Sequence, residues 1–295
     1  KTLQAGKHTY VEKPLGINRD EAANVLRVAA SSGLRVSCAP DTVLGAGIQT
    51  CRKLIDEGAI GKPVAFTAFM ISRGHEHWHP NPEFYYDHGG GPMLDMGPYY
   101  TTALLNLLGP FKRVMGMASI TRPERTITHK DREGKPMHKF GQVMKVVEPD
   151  HIMGVIEFAN GCMGSMIQSF AMRAGSGAAS PIIIYGTDGT LLVPDPNNFD
   201  GPVKICRFED GKEDQFVDVP HAFTTGYGRA AGLADLAHAI RSGREDRCNG
   251  QQAMAALDMM LAFNDSSAAG RAVEASVSYK RPAPMPADLP FGVLD

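Results

Sequence analysis

The chain has 295 residues, enough to bury a substantial core in one large domain plus part of another. Its 30 Lys and Arg against 32 Asp and Glu leave a net charge of −2, which argues against electrostatic capture of nucleic acid or of an anionic membrane. Five scattered cysteines, odd in number and never in C-x-x-C spacing, read as small buried hydrophobes in a reducing compartment, and no apolar run approaches the ~20 residues of a membrane-spanning helix.

Thr9, Tyr10 and Val11 are β-formers that lead into Glu12-Lys13-Pro14. Proline disfavours helix in the residue before it, so Lys13 is expected to be extended at the C-terminal end of a short buried strand. That end is where open α/β sheets place ligands. Asn18 or Asp20 can cap a helix over Glu21–Ala30. Leu34–Ala39 reads as a second parallel strand ended by Pro40-Asp41, and Gly47–Glu57 as a helix closed by Gly58 and Gly61.

Pro63–Ser72 is an apolar, β-forming stretch and opens the second sheet. It runs into Arg73-Gly74-His75-Glu76-His77-Trp78-His79-Pro80. Three histidines at alternate positions share one face if the chain is extended, as metal ligands would. The spacing is not H-E-x-x-H, and neither a cysteine nor a second acidic cluster stands nearby, so no metal site is expected. A hydrogen-bonding rim for a hydroxylated substrate is the favoured reading. His75 and His79 would form it, with Trp78, the only tryptophan, as a stacking floor. Packing against a partner subunit is the alternative.

Gly89-Gly90-Gly91 supplies permissive backbone before a helix expected over 92–108, ended by Gly109-Pro110. Asp95 and Tyr99, four apart, would share a face of it. Asp95 in a first turn also suits the helix dipole, and Tyr99 beside Tyr100 also suits packing, so spacing alone leaves both roles open.

Strands are expected over Val114–Thr121, Ile152–Phe158 and Cys162–Ala171, the last two joined at Asn160-Gly161. The charged stretch Thr121–Asp150 is long for a connection and reads as an insertion forming part of a site or a subunit contact. Ile182–Val193 is a hairpin turning at Asp188-Gly189, and Val203–Phe208 pairs with Gln215–Val219 around Asp210-Gly211. Helices Ala231–Ser242 and Gln251–Ala268 follow, the second largely buried, and Pro282–Pro290 is an extended arm.

Two motifs carry a family resemblance. Ala5-Gly6-Lys7-His8 followed by Glu12-Lys13-Pro14 resembles the "AGKH…EKP" signature of the Gfo/Idh/MocA oxidoreductases. Gly89-Gly90-Gly91-Pro92-Met93-Leu94-Asp95-Met96-Gly97-Pro98-Tyr99 is similar to that family's "GGG-x-x-x-D-x-G-x-H/Y". The resemblance covers nearly the whole chain. It implies an α/β (α+β) fold in which residues 1–62 are the C-terminal part of a dinucleotide-binding Rossmann domain. Residues 63–295 would form a larger α/β domain for substrate binding and oligomerisation, with an open, mainly antiparallel sheet covered by helices. Family members place a Gly-rich turn and several βα units before their EKP. At about 30 residues per βαβ unit, roughly 80 to 100 residues are expected to be absent, and the chain is read as a fragment.

The resemblance also implies roles. Lys13, Asp95 and Tyr99 would be catalytic, and Glu12, Lys13 and Pro14 would meet the cofactor, NAD or NADP. Tyr99 occupies the position of a histidine or tyrosine, and tyrosine is found in the branches that oxidise sugars and diols. Thr102 stands where the family often has an acid, and Asp41 and Thr42 where it often has arginine or asparagine. The expected activity is hydride transfer between a nicotinamide cofactor and a secondary alcohol of a sugar or cyclic polyol. Free tyrosine, with a pKa of about 10, needs a cation to act as the base, and Lys13 is the candidate. His75, Trp78 and His79 would hold the substrate. A cytoplasmic homo-oligomer formed through the C-terminal sheet completes the picture. The rival readings are a non-catalytic truncated homologue, acting as a subunit or sugar-binding module, and a metal-dependent lyase using His75–His79.

Overall fold

The computed structural model describes residues 1–172, 180–209 and 214–295. It opens with a parallel pair, β1 (Thr9–Val11) and β2 (Val36–Cys38), linked by α1 (Arg19–Ser31). Asn18, not Asp20, is the cap: its side chain accepts from the Glu21 N–H at 2.9 Å, while Asp20 and Glu21 face the positive end of the helix dipole. β1 delivers its chain to Glu12-Lys13-Pro14, where the Lys13–Pro14 peptide is cis.

Next come α2 (Ala46–Asp56), β3 (Pro63–Ile71), α3 (Gly91–Asp95), α4 (Gly97–Leu108) and β4 (Phe111–Ser119). The charged segment expected to be a loop carries a small antiparallel pair, β5 (Glu124–Thr126) with β6 (Val143–Lys145). The chain continues through β7 (His151–Phe158), β8 (Met163–Ser169), β9 (Ile182–Gly186), β10 (Gly189–Val193), β11 (Val203–Arg207) and β12 (Val217–Val219). It closes with α5 (Ala231–Ser242), α6 (Gly250–Ala269) and a short edge strand, β13 (Val273–Glu274), not anticipated from the sequence. The turn expected at Asp210-Gly211 lies outside the described residues, but the strands on either side of it do pair.

The large sheet has nine strands in the order β12-β11-β10-β9-β3-β8-β7-β4-β13. Among the described residues its pairings are antiparallel except β3–β8. Alternation along β4 sends Val114 and Gly116 to the buried face and Met115 and Met117 to the open one. α6 lies on the buried face against β4 and packs on α4, which packs in turn on α2. Gly116 permits that approach, since a Cβ there would stand 2.9 Å from the Phe263 backbone. The helices' Leu257, Met259, Phe263, Leu104 and Leu105 are buried, each contributing about 1.5–3 kcal/mol of apolar transfer relative to exposure. All five cysteines are buried and free. The extended C-terminal arm lies on its own chain: the Met285 N–H donates to Gln49 at 2.8 Å, and Arg281 reaches Asp56 at 2.7 Å.

The single helix expected over 92–108 is two helices that meet at Met96. Pro98 has no N–H to give to the Leu94 carbonyl, and its ring crowds that carbonyl, so the ladder breaks there. Asp95 therefore ends α3 instead of occupying the first turn of a long helix. Among the described residues no helix is long and apolar enough to cross a membrane.

Candidate active site

Lys13 leaves the end of β1 and meets Asp95 at the end of α3. Its Nζ lies 2.9 Å from Asp95 Oδ1 and 2.6 Å from the Asp95 carbonyl oxygen, and each side chain of the pair is 16% exposed. The other carboxylate oxygen, Oδ2, faces His75 Nε2 at 3.0 Å. One carboxylate thus bridges an ammonium and an imidazole. Burial alone would raise the Asp95 carboxyl, but the His75 hydrogen bond and the Lys13 charge outweigh it and hold the group below the usual carboxylate range.

The Gly89–Gly91 run lets α3 start against the chain that leads into β7. Gly91 has φ +78°, and a Cβ there would stand 2.9 Å from the Pro149 carbonyl oxygen. His75 sits in an aromatic cluster, its ring centroid 3.9 Å from Tyr85, 4.5 Å from Phe170 and 5.3 Å from Trp78. His79 joins the same cluster, 5.3 Å from Trp78 and 5.2 Å from Tyr85. Trp78 is half exposed, its indole available to solvent.

Tyr99, nearly buried on α4, has the Lys13 ammonium 5.4 Å and the Arg229 guanidinium 5.3 Å from its ring centroid. Lys13 thus meets the ring of Tyr99 and gives its hydrogen bonds to Asp95. Glu12 is exposed, and its carboxylate accepts from the Lys13 N–H at 3.3 Å. Pro14 is half-buried beside it.

The expectation that alternate histidines share one face does not hold. The backbone turns, with the Trp78 and His79 N–H groups both donating to the His75 carbonyl at 3.2 and 3.0 Å. His75 and His79 meet in the cluster, whereas His77 lines a separate cavity with Arg73 and Arg125. Among the described residues no group of three His, Cys, Asp or Glu side chains is placed to hold a metal ion.

A buried network fixes this turn from behind. The Tyr86 hydroxyl accepts from the His75 N–H at 2.9 Å and donates to Glu76. Arg125 donates to Glu76 at 2.9 Å, to Asp150 at 2.8 Å and to the Phe170 carbonyl at 2.8 Å. Burial, with the Glu76 hydrogen bond, pushes the Tyr86 hydroxyl up, so it stays a donor.

Sequence reasoning missed Tyr85 and Arg229. Tyr85 stands two residues beyond Glu83 in an aromatic run, Phe84-Tyr85-Tyr86, that signalled only packing. Burial, then the negative Asp95, raises its hydroxyl. Arg229 lies in irregular chain just before α5, held by Asn197 at 2.8 Å, and nothing local announces it. Asp41 turns out to be structural: it is buried and accepts from the Gly232 N–H at 3.0 Å.

Residues 48–192 match the family model described as the GFO/IDH/MocA C-terminal domain. D-xylose dehydrogenase of Paenarthrobacter nicotinovorans is 24% identical over 201 residues, 65% of this chain and 49% of that protein. Levoglucosan dehydrogenase of Pseudarthrobacter phenanthrenivorans is 24% identical over 198 residues, 64% of this chain and 50% of that protein. The chain thus spans about half the length of these curated relatives. Among solved structures, levoglucosan dehydrogenase in complex with NADH and levoglucosan superposes with a TM-score of 0.75 at 21% identity, covering 94% of this chain and 76% of that one. That likeness establishes a shared fold. Residues 48–192, which include the second of the two motifs, are thus a C-terminal domain of the Gfo/Idh/MocA family.

Proposed function

We propose that the chain serves a nicotinamide-dependent dehydrogenase that oxidises a secondary alcohol of a sugar or cyclic polyol, or reduces the matching ketone. In this reading residues 1–62 are the end of a dinucleotide-binding domain and residues 63–295 the substrate and oligomerisation domain. The observation that carries it is the Lys13–Asp95–His75 bridge beside Tyr99, walled by Trp78, His79 and Tyr85. The relatives' names, D-xylose and levoglucosan dehydrogenase, point to the same substrate class.

The residues present fit the nicotinamide end of a dinucleotide. Glu12, Lys13 and Pro14 stand at the C-terminal end of β1, and just past β2 the buried Thr42 hydroxyl has no hydrogen-bond partner among the described residues. These groups would hold the cofactor, which when bound would supply the hydride acceptor. The chain's own residues handle the proton and the oxygen. The Lys13 ammonium donates to the substrate oxygen and stabilises the negative charge that develops there. Asp95 holds Lys13 in place. Tyr99, with two cations against its ring, accepts the hydroxyl proton. The indole of Trp78 and the rims of His79 and Tyr85 suit the apolar face and hydroxyls of a sugar ring.

The test is a titration of the chain, and of a form extended at its N-terminus, with NADH and NADPH while exciting Trp78. Saturable energy transfer in the extended form, followed by turnover of sugars, is the expected result. No transfer in either form, with both folded and a sugar still bound, would leave a non-catalytic sugar-binding module.

A further inference from the structure

The loop that carries His75 into the candidate active site also gives residues to a second cavity, of about 550 Å³. Arg73, Glu76 and His77 come from that loop, and Arg122, Glu124, Arg125, Thr126 and Thr128 from the strand β5 and its flanks. None of the residues of the Lys13–Asp95–His75 group lines it.

The charges around the cavity are unevenly paired. The two terminal nitrogens of Arg125 are engaged with Glu76 and Asp150, and its side chain is 1% exposed. Its buried Nε–H nevertheless finds no acceptor among the described residues, so the cavity floor carries a surplus of donors. Arg73 and Arg122 line the wall, and neither has a carboxylate partner among the described residues. Glu124 opposes them, and so does the one negative charge left over where Arg125 alone faces both Glu76 and Asp150. Thr126 and Thr128 add two hydroxyls that can donate.

We propose that this cavity binds the phosphate group of a small phosphorylated molecule, with Arg73 and Arg122 as the charged clamp and Thr126 and Thr128 as neutral donors. Two guanidiniums and two hydroxyls offer more donors than the two oxygens of a carboxylate can accept from, and suit an oxyanion with several acceptor oxygens. A volume of this size exceeds a bare phosphate and leaves room for a sugar-sized body. The surroundings of His77 agree. Burial first, and then the Arg73 charge, lower its pKa, with Glu76 opposing and His75 adding to the fall, so His77 senses Arg73 from within the cavity wall. From the cavity a continuous set of contacts runs Arg125–Glu76–Tyr86–His75–Asp95, so an occupant would rest against the groups that position the active-site turn.

The experiment is calorimetric titration of the chain with inorganic phosphate at constant ionic strength, alongside the His77 ring resonances followed by NMR across pH. Saturable binding is expected, with the His77 pKa rising as the anion offsets Arg73. The double variant R73Q/R122Q should weaken binding at least about tenfold, the loss of charged hydrogen bonds, without changing the melting temperature in the absence of phosphate. Glu124→Gln, which removes the opposing charge, should tighten it. Absence of saturable binding, equal affinity in R73Q/R122Q, or an equal response to acetate overturns the proposal. Because these are binding readouts, they stand whether or not the chain proves to be part of a dehydrogenase.

Discussion

Lys13 and Asp95 are 82 residues apart in sequence, yet the ammonium of one lies 2.9 Å from the carboxylate and 2.6 Å from the carbonyl oxygen of the other. The ammonium is thereby held at one point between β1 and α3. Lys13→Met keeps the length of the side chain and removes the charge. Turnover by the extended enzyme should be lost, while stability falls by about 1–2 kcal/mol, since Asp95 keeps His75 as a partner. Denaturant titration and steady-state kinetics separate the two effects, and a fully active K13M would end the mechanism proposed for Lys13.

The proton acceptor can be identified by comparing two variants. Tyr99→Phe removes only the hydroxyl from a ring flanked by Lys13 and Arg229, and kcat should fall far more than KM rises. If kcat is unchanged, Tyr99 is not the acceptor, the imidazole that Asp95 supports takes its place, and His75→Asn should then abolish turnover. His75 has the geometry for that role: Nε2 faces a carboxylate, and the buried Nδ1 has no partner among the described residues.

Acid stability should report Asp95. Its carboxyl titrates below the ordinary value of 3.8 in the folded chain, because His75 and Lys13 overcome the effect of burial. Between the two values the unfolded chain binds a proton that the folded chain does not. The stabilisation is therefore complete above the ordinary value and disappears as pH falls through the lower, folded one. Asp95→Asn should be less stable than the parent at neutral pH and show a flatter decline in the acid range. Parallel acid profiles for the two proteins would assign the loss to other carboxylates.

The strand–helix–strand start, the hairpins and the buried α6 were legible because their signals are local: an Asn18 cap, the Asn160-Gly161 turn, a Met-rich helix. The site was legible in parts. Lys13, Asp95 and Tyr99 could be singled out by motif, and His75, Trp78 and His79 by composition. What local sequence could not carry was the joining of distant segments. That His75 shares a carboxylate with Lys13 depends on the turn at residues 75–79 and on the break at Met96, the latter set by Pro98. Arg229 arrives from a segment with no pattern of its own, and β13 is too short to show a period.

Arg125 offers a stability test independent of chemistry. It sits between Glu76 and Asp150 with almost no solvent contact, and its loss strands two buried carboxylates. Arg125→Met should cost about 3–5 kcal/mol in chemical denaturation. It should also loosen the 73–79 turn, because Glu76 and the Tyr86 hydroxyl hold the His75 backbone. A loss below ~1 kcal/mol would mean that the network is not maintained in solution.

The open face of the large sheet bears on assembly. Met115 faces Val155 and Met117 faces Met153 across the β4–β7 ladder, and Met163 on β8 extends the apolar surface. Met117 is 72% exposed and Met163 58%. Contiguous apolar surface of this kind, rimmed by Lys112, Arg113 and Glu157, marks an interface more often than a solvated wall. We propose that it meets a second copy of the chain, as the family resemblance implies. Methionine suits that use, since its unbranched side chain adapts to an opposing sheet. Met117→Glu places a charge within the patch without touching the buried face of β4. Light scattering should then show a dimer or larger assembly for the parent and a monomer for the variant, with the melting temperature of the dissociated chain independent of concentration. A parent chain that is monomeric at micromolar concentration would overturn the assignment of this face to a second copy.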